Sequence, residues 1–88
     1  MADLSKSNAK ELNRARAIRN MPHNGLAVGG AEIYARMVAG LHRAASAGQQ
    51  RAIEASIEQD GTAHLFTRHP ANGCLLAAPH GSPFARAA

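Results

Sequence analysis

Large aromatic side chains and cysteines are scarce in this sequence. Its 88 residues include no tryptophan, one tyrosine, two phenylalanines and one cysteine. A lone cysteine excludes a disulfide within the chain, and it is more typical of a reducing compartment than of a secreted framework. We therefore expect a cytoplasmic protein whose core depends on aliphatic side chains.

Long apolar runs are also missing. No window approaches the roughly 18 apolar residues of a membrane span, and the N-terminal residues lack the apolar run of a signal peptide. Alanine supplies 20 of the residues counted as hydrophobic. A core with so few large side chains is usually supplemented by a metal, by self-association or by a partner surface.

The length leaves room for one domain. We expect a single small domain over residues 1–80 and a flexible C-terminal tail over residues 81–88. A connector over residues 21–30, which contains Asn24-Gly25 and Gly29-Gly30, separates the first two predicted helices.

The first predicted helix covers residues 8–20. Asn8 is a suitable N-cap, and Glu11 follows three residues later in the position of a capping box. At about 100° per residue, this helix has a narrow apolar side opposite a basic side. The apolar side consists of Leu12, Ala15, Ala17 and Ile18. Because the stripe is narrow, the helix must dock on another element to persist.

The clearest helical period runs over residues 31–47, and we expect this helix to be the main core element. Glu32, Arg36 and His42 face away from the apolar arc, and Gly48 follows as a stop. Glu32 and Arg36 stand in the favourable i,i+4 order. The predicted core-facing residues are Ile33, Tyr34, Met37, Val38, Leu41, Ala44 and Ala45.

Residues 49–59 fit either a helix or a half-buried strand. The Gln, Arg, Ala and Glu content favours a helix, and Asp60-Gly61 is a suitable C-terminal stop. The alternation of Ile53 and Ile57 with polar residues also fits a strand. We favour the helix.

A β-hairpin is predicted at the C-terminal end, with strands at residues 64–68 and 74–78. Pro70 can open the intervening turn, and Gly73 can supply its left-handed residue. The fold class is therefore α+β, with two or three helices followed by a C-terminal hairpin.

Four zinc-binding residue types cluster at this hairpin: His64, His69, Cys74 and His80. The predicted register pairs His69 with Cys74 and puts His64 on the opposite face of the ribbon. Since the hairpin and a four-ligand site exclude each other, we favour the hairpin, expect no metal or other cofactor, and keep zinc as a minor alternative.

Catalytic motifs are not evident in the sequence. It contains no nucleophile elbow, phosphate loop or metalloprotease helix. Glu54 and Glu58, one turn apart, are more typical of a solvated face than of an acid and a base in a cleft. We therefore predict that the protein is not an enzyme.

Positive charge is concentrated near the N-terminus. The chain carries a net charge of +4, and residues 1–20 hold most of it. Lys6, Lys10 and Arg14 line one side of the first helix, with Arg16 and Arg19 at its flanks. These five cations are candidates for contact with an acidic partner surface or with nucleic acid phosphates.

A second candidate surface lies on the back of the helix over residues 31–47. Ala31, Ala35 and Ala39 form a smooth strip at i,i+4 spacing beside Arg36 and Arg43. Alanine is simply the best helix former, but small residues also permit a close approach by another chain.

The composition, the thin core and the basic charge favour a small binding or adaptor protein. We expect it to dock on a protein or nucleoprotein partner as an inhibitor or an assembly accessory, with a homo-oligomer as one form of association. The alternative is direct DNA or RNA binding through the basic N-terminal helix.

Overall fold

The computed structural model describes residues 3–21 and 29–78. The helices are α1 (Lys6–Arg19), α2 (Gly30–Ala44) and α3 (Ala47–Gln59), and the strands are β1 (Phe66–Arg68) and β2 (Leu75–Ala77). A 3-10 helix over Ala63–Leu65 precedes β1. The predicted α+β class with a C-terminal hairpin is confirmed, and the segment over 49–59 is helical. The predicted tail over 81–88 lies outside the described residues.

Helix α1 begins at Lys6, and its N-cap lies three residues earlier than predicted, because Ser5 caps it instead of Asn8. The Ser5 hydroxyl accepts the amide of Asn8 at 3.2 Å. Serine is at least as good an N-cap as asparagine, and its use at this position adds nearly one turn to the helix. The predicted capping box of Asn8 and Glu11 is therefore wrong. Ala17, placed on the apolar side by its periodicity, is exposed.

The second helix ends before the predicted residue 47. Helix α2 ends at Ala44, and Ser46 caps α3, accepting the amide of Gln49 at 3.4 Å. Gly48 lies within the first turn of α3 and is not a stop. A serine that can satisfy a free helix amide starts a new helix here before the glycine is reached.

The C-terminus of α3 closes at Asp60 and Gly61, as predicted. Gly61 has a φ of 74°, a conformation that favours glycine. Its amide bonds to the Glu58 carbonyl at 3.1 Å, and the amide of Thr62 bonds to the Ile57 carbonyl at 3.0 Å. These two bonds form a Schellman motif, which satisfies carbonyls at the helix end.

The buried side of α2 is rotated from the predicted one by about a quarter of a turn. Ala35, Ala39 and His42 are buried, although all three were placed on the outer side, whereas Ala44 is exposed. Small residues let neighbouring elements approach closely, and α2 packs against both α1 and β2. The larger Ile33, Met37 and Leu41 are therefore only half-buried at the flank.

The core joins all three helices to the hairpin. Its buried members are Leu12, Ala15, Tyr34, Ala35, Val38, Ile53, Ile57, Phe66 and Leu75. The Tyr34 hydroxyl lies 2.8 Å from Thr62 Oγ1, which is itself 3.3 Å from the Ile57 carbonyl oxygen. Because Thr62 has one hydroxyl proton and donates it to Ile57, Tyr34 is the donor in the first bond.

Helix α1 is attached to α3 by polar side chains at both ends. The Gln49 amide oxygen accepts from the Ser5 backbone at 2.8 Å and from Asn8 Nδ2 at 2.9 Å. Near the other end, Arg16 Nε donates to Asp60 Oδ2 at 2.8 Å. These contacts orient α1 and α3 in the same direction.

The hairpin has the predicted register with shorter strands. Thr67 pairs with Leu76, and the amide of His69 donates to the Cys74 carbonyl at 2.8 Å. Gly73 supplies the positive φ, 71°, that the turn requires. His64, predicted as a strand residue, lies in the 3-10 helix. Within the described ranges, no helix combines the length and the hydrophobicity that crossing a bilayer requires.

Candidate functional site

The outer side of α1 carries three exposed cations, each one turn from the next. Lys6, Lys10 and Arg14, together called the basic strip below, lie on the side of the helix opposite the buried Leu12 and Ala15. None of the three forms an ion pair with a carboxylate of residues 3–21 or 29–78. The strip therefore presents three positive charges to solvent.

The two flanking arginines of α1 have contacts within the protein. Arg16 pairs with Asp60, and its Nη1 also donates to Asn13 Oδ1 at 2.8 Å. The Arg19 guanidinium carbon lies 5.5 Å from the centre of the Tyr34 ring, a cation–π contact. The structure thus separates the five predicted cations into three that are free for a partner and two that attach α1 to the body.

On α2, the predicted alanine strip is not an open surface. Ala35 and Ala39 are buried, and only Ala31 of the three is exposed. Arg36 is exposed and bonds to Glu32 at 2.9 Å, the i,i+4 pair that the sequence predicts. Arg43 is exposed near the C-terminal end of the helix. The two arginines stand on the exposed side of α2 without the smooth strip proposed beside them.

The potential zinc ligands are dispersed. His64 is exposed in the 3-10 helix, and His69 Nδ1 already accepts the Ala71 amide at 3.0 Å. Cys74 is half-buried with a free thiol, and His80 lies outside the described residues. In the parts of the chain that the structure describes, no three potential ligands gather into a metal site.

An unpredicted polar network connects α2, α3 and the hairpin. His42 Nε2 lies 2.7 Å from Glu54 Oε2, and Arg68 Nη2 lies 2.7 Å from Glu54 Oε1. The Leu75 amide donates to His42 Nδ1 at 3.4 Å. Since Nδ1 accepts, the proton of the neutral ring is on Nε2 and is donated to Glu54.

The charges of this network stabilise one another. The hydrogen bond from Arg68 holds the pKa of the Glu54 carboxyl below its ordinary value, against the opposing effect of burial, and the bond from His42 adds to the lowering. The same carboxylate raises the pKa of Arg68. Both Glu54 oxygens and both His42 nitrogens are occupied, so this arrangement holds the hairpin against the helices and leaves no free general base.

The sequence contains one sign of this network. His42 lies four residues after Val38 and seven after Ala35, so it shares their buried side once the helix is correctly rotated. A histidine treated as polar is placed outside by periodicity alone. The hydrogen bond between His42 and Glu54, twelve residues apart on two helices, depends on the position of the junction between α2 and α3. The sequence pattern places that junction too late.

A groove of about 160 Å³ lies beside this network, between α3 and β1. Its floor is apolar, formed by Ile57, Phe66 and Leu75, and the side chains of Glu54, Glu58 and Arg68 stand at its walls. Ligand pockets usually occupy about 300 to 1,000 Å³. The groove has room for a single side chain and is too small for a typical cofactor.

Comparison of the chain with protein-family models, curated proteins and solved structures returned no match.

Proposed function

We propose that this protein is a small non-enzymatic binding protein that docks on an acidic surface of a protein or nucleoprotein partner. The observation that carries the proposal is the basic strip of Lys6, Lys10 and Arg14, which is exposed and forms no ion pair with the described residues. Three aligned cations attract an opposite surface over about a Debye length and orient the encounter. In this role the protein acts as an inhibitor or as an assembly accessory.

The strip is supported by a rigid base. Helix α1 packs along α2, and the contacts of Gln49 with Ser5 and Asn8 and the Arg16–Asp60 ion pair attach its ends to α3, so the helix that carries the three cations is in place before any partner arrives. Because the helix backbone is already ordered, binding costs less conformational entropy than it would for a segment that must fold on its partner. Cys74 carries a free thiol, which is suited to the cytoplasm that we propose as the site of action.

The same strip supports direct DNA or RNA binding as the alternative. Cations one helical turn apart can contact successive phosphates, which supply affinity without reading sequence. A strong dependence on salt is expected for either partner, so salt alone does not separate them. Nuclease treatment does separate a protein partner from a nucleic acid partner.

The experiment is a pull-down in which the immobilised full chain is incubated with a lysate of the cells that produce the protein. The lysate is used with and without nuclease treatment. The test variant carries Lys6→Glu, Lys10→Glu and Arg14→Glu. A matched variant carries Arg36→Glu, Arg43→Glu and Arg51→Glu, which changes the net charge equally at exposed sites on α2 and α3. It serves as the control for the basic strip, and a loss of retention here would assign the contact to the second candidate surface beside Arg36 and Arg43. Light scattering on all three proteins reports whether a second copy is the partner.

The proposal expects a defined set of proteins to be retained by the unmodified chain and by the control, and to be lost with the basic-strip variant. Retention that disappears after nuclease treatment assigns the strip to nucleic acid and favours the alternative. Equal retention by the basic-strip variant would overturn both interpretations, because neither a protein nor a phosphate surface would then need the strip.

A further inference from the structure

The two edges of the hairpin differ in what covers them. In the hairpin, the backbones of His69 and Cys74 and of Leu65 and Ala78 are hydrogen-bonded to each other. Because bonded pairs alternate along an antiparallel ladder, the backbone N–H and C=O of Thr67 point toward β2, and those of Arg68 point away from it. On the outer edge of β2, the corresponding Leu75 amide is already bonded to His42. On the outer edge of β1, no further strand of the described chain is paired. The Phe66 amide is bonded to the Ala63 carbonyl, so the amide that this edge offers to a partner is that of Arg68.

The open edge of β1 runs along the groove. An unpaired strand edge offers its amides and carbonyls to an incoming extended segment, which adds to the sheet by backbone hydrogen bonds. The groove lies between this strand and α3. A segment that paired with β1 would therefore bring its side chains to the groove entrance, and one of them would enter.

The lining of the groove favours a long cationic side chain. Its floor of Ile57, Phe66 and Leu75 suits an aliphatic stem, and two carboxylates stand above it against one guanidinium. Glu54 is paired with Arg68 and His42. Glu58 is exposed and makes no ion pair with residues of the described ranges. Lysine and arginine combine an apolar stem with a charged end that Glu58 can meet.

We propose that the edge of β1 is a docking site for an extended peptide segment of a partner protein, with a lysine or arginine side chain of that segment lying in the groove against Glu58. This site is independent of the basic strip, and it selects the opposite charge. The two surfaces together would let one small chain join two partners.

The test uses four synthetic peptides of seven residues, in which threonine and valine alternate around a central lysine, arginine, leucine or glutamate. Each is titrated into the isotope-labelled full chain and followed by its backbone amide spectrum. The variants are Glu58→Lys, Glu58→Gln, and Glu11→Lys as a control with the same charge change on α1. Dispersion of the amide spectrum verifies that each variant is folded.

The lysine and arginine peptides should shift the amides of β1, slow hydrogen exchange at Arg68, and bind about five- to tenfold more tightly than the glutamate peptide. Glu58→Gln should remove this preference and Glu58→Lys should reverse it, while Glu11→Lys should leave it unchanged. Equal affinities for all four peptides, no binding at millimolar concentration, or binding without protection of Arg68 would each overturn the proposal.

Discussion

His42 donates a hydrogen bond of 2.7 Å from Nε2 to Glu54 Oε2, across the junction of α2 and α3. The direction follows from the other ring nitrogen, which accepts the Leu75 amide. One buried ring therefore connects two helices to β2. Such a connection is valuable in a chain whose core contains many alanines, because it orders the hairpin with directional bonds where apolar contact area is limited.

Removing the His42 ring should destabilise the fold substantially. In His42→Ala the Leu75 amide loses its acceptor, Glu54 loses a donor, and a buried space replaces the ring. We expect the free energy of unfolding to fall by about 2 to 4 kcal/mol in urea denaturation. His64→Ala is the control, since His64 is exposed, and it should change stability by no more than about 0.5 kcal/mol. Similar effects of the two substitutions would contradict this role for His42.

Stability should decline in acid because of Glu54. Its pKa is lower in the folded chain than the ordinary value of 4.5, so the unfolded chain binds more protons as the pH falls. The contribution is complete above about pH 4.5 and is lost as the pH drops through the folded-state pKa. Denaturation at a series of pH values should show this decline.

The variant that isolates this effect is Arg68→Met, which removes the strongest cause of the lowered pKa. Its stability should depend less on pH below 4.5 than that of the unmodified chain. Arg14→Met removes an exposed arginine that pairs with no described carboxylate, and it should preserve the original slope. An unchanged slope in Arg68→Met would mean that other carboxylates control acid stability.

Gly30 should not tolerate even one methyl group. A Cβ at this position would lie 2.4 Å from the Ile18 carbonyl oxygen, a backbone atom that cannot rotate away. We expect Gly30→Ala to lower stability by about 1 to 3 kcal/mol in thermal and urea denaturation. Gly40→Ala has open space around it within the same helix and should raise stability by up to about 1 kcal/mol. Opposite signs for the two substitutions are the diagnostic result.

The buried bond between Tyr34 and Thr62 is suited to a double-mutant cycle. Tyr34→Phe removes the donor while Thr62 keeps its bond to Ile57, so a loss of about 1 kcal/mol is expected. Thr62→Val strands the Tyr34 hydroxyl in the core and should cost about 1 to 3 kcal/mol. The double variant should lose less than the sum of the two, as measured by urea denaturation. Additive losses would show that the two hydroxyls do not interact.

The elements that the sequence predicts best are those specified by strong local chemistry. Asp60-Gly61 identifies a helix end because that cap needs a left-handed residue and glycine adopts this conformation without strain, and the turn containing Gly73 sets the hairpin register. The sequence pattern does not predict the junction at Ser46. A serine marks the start of a helix only where a following backbone amide needs an acceptor, as that of Gln49 does here.

The side of α2 that faces the core was harder to predict, because hydrophobicity is an incomplete guide to burial. Ala39 is as helix-favouring outside as inside, and only close packing by neighbouring elements shows that it is buried. His42 is polar, yet it is satisfied by Glu54 and Leu75 from later elements. For the basic strip, periodicity placed Lys6, Lys10 and Arg14 correctly, while the contacts of the flanking arginines required tertiary partners.

The attachment of α1 to α3 affects the order in which the chain can fold. Helices α2 and α3 are joined by only two residues, so they can meet early, whereas the contacts of Ser5 with Gln49 and of Arg16 with Asp60 each span 44 positions. Closing such long loops is entropically slower. Because α1 packs mainly on α2, its neighbour in sequence, these two helices can associate early, and the bonds to α3 would then form last and set the final orientation of the basic strip.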